Sequence, residues 1–204
     1  MQASLRVRDL LIASWETGED DLRAVLPRGL EPMPLDERFL VSLAAFRVEG
    51  GRAGRYPVPP YSQLNVRAYV SHLAKPAVFF VASRVTAGGL PAVLLGAPFR
   101  YGRMRVREGN VSAPGRGVQI RYRAGEPTEP GLFGKYELGL FENDGLRELR
   151  IDRGETAWQR GEALEPPKAD FLVALGFHPR GEPELVYAAR SSFGFEVPSR
   201  RKSR

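Results

Sequence analysis

Period-two alternation dominates the hydrophobic pattern of this chain, and it is cleanest from Tyr61 to Val70. Leu64, Val66, Ala68 and Val70 fall on one face of a predicted strand, and Gln63, Asn65, Arg67 and Tyr69 on the other. Side chains two residues apart on a strand sit about 6.7 Å apart, so two amides, a guanidinium and a phenol make one polar row. Solvated strand faces ordinarily carry Lys, Glu and Thr. A row of Gln, Asn, Arg and Tyr, all suited to fixed hydrogen bonds, fits a polar site inside a sheet. It fits equally a set of ties between neighbouring strands, because buried polar groups must be paired whatever their role.

The other elements fall around that strand. Residues 6–16 predict a first strand with Leu10, Leu11, Ile12 and Trp15 as its apolar content. Thr17 reads as the N-cap of a short helix with Glu19, Asp20 and Asp21 in its first turn and Leu22, Val25 and Leu26 on its apolar side, stopped by Pro27 and Gly29. Phe39 to Val48 is apolar enough for a strand buried on both faces, and residues 50–60 read as a Gly-, Arg- and Pro-rich loop, a candidate mobile rim. His72 to Pro76 is a turn into a second buried strand, Ala77 to Val81, which predicts a hairpin. Pro91 and Gly96 bracket a short helix, and residues 117–123 alternate again as a strand. Glu142-Asn143-Asp144-Gly145 marks a hairpin between strands at 136–141 and 146–151. Pro167 opens a helix carrying Phe171, Leu172 and Leu175 with Gly176 as its cap, and residues 184–189 and 192–197 supply two last strands or one bent one. This census predicts an α+β, mostly β protein, an antiparallel barrel or wrapped sheet with two or three short helices. We expect a single domain over 1–198 and a basic, disordered tail over 199–204.

Composition narrows the chemistry. The 204 residues are 43% hydrophobic and 26% charged, as in a soluble globular protein. The absence of cysteine excludes disulfides, thiolate nucleophiles and cysteine-ligated metals. Residues 1–6 lack a signal-peptide pattern, and no apolar run approaches the ~20 residues of a membrane-spanning helix; a cytoplasmic protein is expected. The formal charge of +6 is carried mostly by arginine, with Lys75, Lys135, Lys168 and Lys202 as the lysines. These cations are scattered except at the tail, and no recognition motif accompanies them, so nucleic acid is disfavoured as a partner. His72 and His178 are far apart, which argues against a metal site. No phosphate loop, Gly-x-Ser-x-Gly elbow or dinucleotide fingerprint is present, and no cofactor is expected.

Gln63-Leu64-Asn65-Val66-Arg67-Ala68-Tyr69-Val70, followed by Lys75-Pro76-Ala77-Val78-Phe79-Phe80, resembles the YqjF-like family, domain of unknown function 2071. That family usually reads Glu-Leu-Asn-Val-Arg-Thr-Tyr-Val and then Gly-Lys-Pro-Gly-Val-Tyr-Phe-Phe. It is similar to the acetoacetate decarboxylase superfamily, so the resemblance implies a cone-shaped antiparallel barrel around a cavity, in a homo-oligomer. Decarboxylases of that superfamily carry Gly-x-Pro-Lys-Lys, whose first lysine forms a Schiff base with the keto acid while the second depresses its pKa. The matching segment here is Gly96-Ala97-Pro98-Phe99-Arg100, which puts Phe99 where the nucleophile would stand. Gln63 replaces the family's usual Glu, and Lys75, the substitute a decarboxylase would need, precedes Pro76 in a turn where lysines are ordinarily solvated.

The expectation is therefore a barrel that binds a small polar or anionic organic molecule. Gln63, Asn65, Arg67 and Arg100 would supply polar contacts and Tyr69, Phe79, Phe99 and Tyr101 the wall. The alternative is an enzyme of the same superfamily acting on a keto acid or related metabolite without a lysine nucleophile. In that case Arg67 or Arg100 would stabilise an enolate-like charge and Tyr69 or Tyr101 would act as the acid.

Overall fold

The computed structural model describes residues 2–89, 99–129 and 136–196. The helix expected between Pro91 and Gly96 and the tail at 199–204 lie outside the described residues. In chain order the elements are β1 (Gln2–Glu16), α1 (Glu19–Val25), β2 (Glu31–Pro32), β3 (Leu40–Ala53), β4 (Tyr56–Val58), β5 (Tyr61–His72), β6 (Lys75–Val85) and β7 (Phe99–Tyr101). They continue as β8 (Arg105–Arg107), β9 (Asn110–Ala113), β10 (Val118–Pro127), β11 (Leu138–Glu142), β12 (Leu146–Arg153), β13 (Gln159–Ala163), β14 (Lys168–Ala169), α2 (Asp170–Val173) and β15 (Arg180–Glu196).

The strand pairings close on themselves in the order β1-β3-β5-β6-β11-β12-β15 and back to β1. The 17-residue strand β15 makes closure possible: one edge pairs with β1, while its other edge pairs with β13 at Leu185–Tyr187 and with β12 at Phe193–Glu196. From β13 the sheet continues through β10 and β9 to β8, which folds back over β1, β3 and β5. Two cores result. One joins Leu10, Ile12, Phe46, Val48, Val78 and Phe193 from strands around the ring. Phe46 of β3 and Phe193 of β15 meet at 5.7 Å although β1 lies between their strands, which places this core on the concave, inner face. The other core packs Leu11, Leu43, Leu64 and Val66 on the outer face against Val111, Ile120 and Tyr122 of the folded-back strands and Phe171 of α2. Burial on both sides explains why β5 reads as alternating and yet is buried along nearly its whole length.

The structure corrects several expectations. The sheet is not uniformly antiparallel: β6 runs parallel to both β11 and β7, because β11 and β7 enter from connections that bring the chain back in the same direction. Residues 50–60 are not an open loop, since β3 continues to Ala53 and turns at Gly54 into β4. The last helix begins at Asp170 rather than at Pro167, because Lys168 and Ala169 are taken up in pairing with β10. The two last strands are one, bent along the ring. The Asp-Gly hairpin is as expected, with Asp144 and Gly145 both at positive φ.

Gly18, not Thr17, is the N-cap of α1. Asp21 replaces a side-chain cap: its Oδ2 accepts from Gly18 N at 3.2 Å and Thr17 Oγ1 at 2.9 Å, and its Oδ1 lies 2.9 Å from His178 Nδ1. Burial alone would raise this carboxyl, but the hydrogen bonds from His178, Thr17 and Gly18 outweigh it and hold the group down at about 2. A depressed acid stabilises the fold above its unfolded value near 3.8 and loses that contribution as pH falls through 2. Asp21→Asn should therefore cost about 1 kcal/mol at neutral pH, discounted because His178 is exposed. In denaturation curves from pH 7 to pH 2 the gap between variant and parent should close below pH 4. A pH-independent gap would assign the cost to packing.

Candidate functional site

The polar row of β5 faces the ring interior. Leu64, Val66 and Ala68 pack in the outer core, so alternation turns Gln63, Asn65, Arg67 and Tyr69 inward. A register shift between Val66 and Arg67 sets Arg67 opposite Phe80 on β6, and Ser42 lies opposite it on β3. Gln63 Nε2 donates to Asn65 Oδ1 at 2.8 Å. The hydroxyls of Ser14, Ser42 and Tyr69 form a chain with spacings of 2.7 and 2.8 Å. The Tyr69 ring lies 5.4 Å from that of Tyr136.

Arg67 is 6% exposed, and its Nε and Nη2 are buried without a hydrogen-bond partner. A second guanidinium lies near Arg67. Arg153 ends β12 opposite Phe193, and its Cζ sits 5.4 Å from the Phe193 ring and 6.0 Å from that of Trp158. Burial, reinforced by the positive charge of Arg67, lowers its pKa to about 10, with Tyr69 acting in the opposite sense. Burial and the neighbouring Tyr69 push the Tyr136 phenol far above the ordinary tyrosine value, with Arg67 opposing, so it stays protonated.

Among the described residues no carboxylate forms an ion pair with Arg67. Asp9 is the one buried acid among the described residues, and it lies with Arg8, Arg47 and Tyr187 instead. The segments outside the described residues, 90–98, 130–135 and 197–204, contain no Asp or Glu. Two desolvated guanidiniums flanked by aromatic rings and a neutral phenol can hold a carboxylate or polarise a carbonyl oxygen. A cleft of about 1060 Å³ opens where the β5–β6 hairpin reaches the end of the ring, lined in part by Leu35, His72, Lys75 and Arg150. Tyr136 lines this cleft and packs on Tyr69, so it links the cleft to the inward-facing row of β5.

The eight residues singled out in the sequence separate into groups. Gln63, Asn65, Arg67 and Tyr69 share the interior, and Phe99 packs against the inner core opposite Ser83. Phe79 points the other way, into a small cluster with Ala77 and Leu140, and Phe80 takes the inner place. The register shift at Arg67 exchanges the two, which alternation counted from the sequence does not show. Arg100 is exposed and aligned with Arg84 on the outer face, and Tyr101 is 53% exposed. Arg153, Tyr136 and Ser42 were not legible as site residues, and Trp158, an aromatic between polar segments, read as a core or edge residue although it could line a pocket. Arg153 follows the charged alternation Arg147-Glu148-Leu149-Arg150-Ile151-Asp152, which reads as a solvated edge. Among the described residues the lysines are Lys75 and Lys168, both exposed.

Residues 4–191 match the family model DUF2071, described as an uncharacterized conserved protein. The uncharacterized protein YqjF of Bacillus subtilis is 33% identical over 76 residues, a stretch covering 35% of this chain and 31% of that protein. Acetoacetate decarboxylase from Legionella pneumophila superposes with a TM-score of 0.66 at 14% identity, covering 98% of this chain and 88% of the other. The enduracididine biosynthesis enzyme MppR, complexed with pyruvate, superposes with a TM-score of 0.62 at 16% identity, covering 96% and 87%. At these identities the structural likeness establishes a shared acetoacetate decarboxylase-like fold. Among the described residues, no helix is long and apolar enough to cross a membrane.

Proposed function

Since this chain belongs to the DUF2071 family, we propose that its strand ring is a cone-shaped barrel whose interior binds a small organic carboxylate. Arg67 and Arg153 are the counter-charges, Gln63 and Asn65 hydrogen-bond the rest of the molecule, and Phe80, Trp158 and Phe193 form its apolar wall. The supporting observation is Arg67: a guanidinium 6% exposed, with buried nitrogens lacking partners and a second, half-buried cation nearby. Removing such a charge from water costs several kcal/mol unless an anion offsets it, and among the described residues no carboxylate is paired with Arg67. Pyruvate, the molecule complexed with one structural neighbour, is the appropriate first probe. Association into a homo-oligomer belongs to the same reading, and sedimentation equilibrium reads it directly.

The enzyme alternative has one observation in its favour. The Tyr136 phenol is held protonated beside Arg67, so a keto acid bound there would meet a cation and a proton donor together. It would need chemistry other than a Schiff base at position 99, where phenylalanine stands.

Calorimetric titration of the protein with pyruvate and with acetoacetate, followed by proton NMR of the mixtures, tests both readings. Saturable binding near one molecule per chain with unchanged spectra supports the binding protein, and conversion of either compound supports the enzyme. No heat of binding with these or with other C2–C6 carboxylates overturns the carboxylate site.

A further inference from the structure

The outer face carries its own group of cations, apart from those of the ring interior. Arg84 alternates with the inward Ser83 and Val85 and so points outward, yet it is only 7% exposed. Its Nη1 donates to Ser83 O at 3.0 Å, while its Nε is buried with no partner. The parallel pairing of β6 with β7 sets Arg100 directly alongside it. The 3-10 turn Pro114–Arg116 brings in a third arginine: Arg84 Cζ lies 5.3 Å and Arg116 Cζ 5.6 Å from the centroid of the same ring, Phe171 of α2. Gly102 lies against the Arg84 stem, where an added Cβ would come within 3.3 Å of Arg84 Cβ.

No carboxylate is paired with any of these three among the described residues, and the remaining segments carry no Asp or Glu. Asp170, adjacent in sequence to Phe171, packs on Gly117 and forms no ion pair with Arg116. Burial lowers the Arg84 pKa, and Arg116 and Arg100 lower it further, in that order. The guanidinium of Arg84, with its buried, unsatisfied Nε, and the two beside it offer far more N–H donors than a carboxylate's roughly four lone-pair sites accept. They match the three or more acceptor oxygens of a phosphoryl group.

We propose that Arg84, Arg100 and Arg116 form a phosphoryl-binding site on the outer face, for free phosphate or a small phosphate monoester. Arg84 is the buried anchor that fixes the anion's position. Arg100 and Arg116, both exposed, close over it and set its on-rate. Phe171 is 3% exposed, so it orients the two flanking guanidiniums and offers no stacking face to a ligand.

Thermal denaturation and 31P NMR titration at constant ionic strength test this, with inorganic phosphate, phenyl phosphate and sodium chloride as titrants. The full-length protein should show a saturable rise in Tm and broadening of the phosphate resonance, with no effect of chloride at matched ionic strength. A stronger effect of phenyl phosphate than of phosphate would identify an esterified ligand; the reverse would identify the free anion. The double variant Arg100→Gln/Arg116→Gln changes only exposed side chains and should weaken the response at least tenfold. Arg84→Met, which keeps the apolar stem, should abolish it without lowering the ligand-free Tm. Equal stabilisation by chloride, or a phosphate response retained in the double variant, overturns the proposal. Loss of pyruvate binding in the double variant would also overturn it, by showing one site rather than two.

Discussion

Arg67→Met will remove carboxylate binding from the ring interior while leaving the ligand-free protein at least as stable as the parent. The guanidinium of Arg67 is buried, and its Nε and Nη2 have no partner to lose. Its positive charge also depresses the neighbouring Arg153. A methionine of similar length retains the apolar contacts with the inner core and removes both penalties. Replacing buried charges by apolar groups of matching volume is commonly neutral or stabilising by about 1–4 kcal/mol. Truncating one member of a buried charge pair costs about 2–5 kcal/mol in affinity, roughly 30-fold to above 1000-fold in Kd. The two readouts, denaturation of the free protein and titration with pyruvate, should therefore move in opposite directions. If Arg67→Met instead lowers stability by several kcal/mol and leaves carboxylate binding intact, Arg67 is a tie between β3, β5 and β6, and the ligand lies elsewhere.

Gly51→Ala will destabilise the ring more than any other glycine-to-alanine change along β3. Gly51 lies opposite Leu5 in the β1–β3 seam, and a Cβ there would run into the carbonyl oxygen of Ser4, with Leu5 Cδ2 at 2.9 Å and Leu5 Cα at 3.0 Å. The obstructing oxygen belongs to the backbone, so no rotamer change relieves it and the strands must part. Overpacking of this kind costs about 3 kcal/mol, which for a domain of this size is roughly a 6–12 °C fall in Tm. Gly54 is the comparison. Nothing lies within 4 Å of its added Cβ, and only its φ of +58° opposes a side chain, so Gly54→Ala should cost about 1 kcal/mol. Equal losses in the two variants would show that β1 can shift away from β3, and that the seam is looser than its geometry implies.

The alternation of β5 was sufficient to show that Gln63, Asn65, Arg67 and Tyr69 lie on one face, because the two-residue period of a strand is local and independent of what packs against it. Apolar content likewise marked β3 and β6, the turn residues Asp144 and Gly145 marked the hairpin, and the motif around Arg67 carried the family and with it the fold. Other features depended on contacts between residues distant in sequence. Arg153 reaches Arg67 only because β15 binds β12 along one edge and β1 along the other, closing the ring. Arg100, level with Arg67 in chemistry and grouped with it from sequence, falls on the opposite face because β7 pairs in parallel with β6 beside Arg84. Phe79 and Phe80 exchange roles through one register shift, which depends on the partner strand and leaves no mark on the alternation itself. Local chemistry fixes which side chains travel together along a strand. Closure, register and strand direction fix which strands face one another, and these are properties of the assembled sheet.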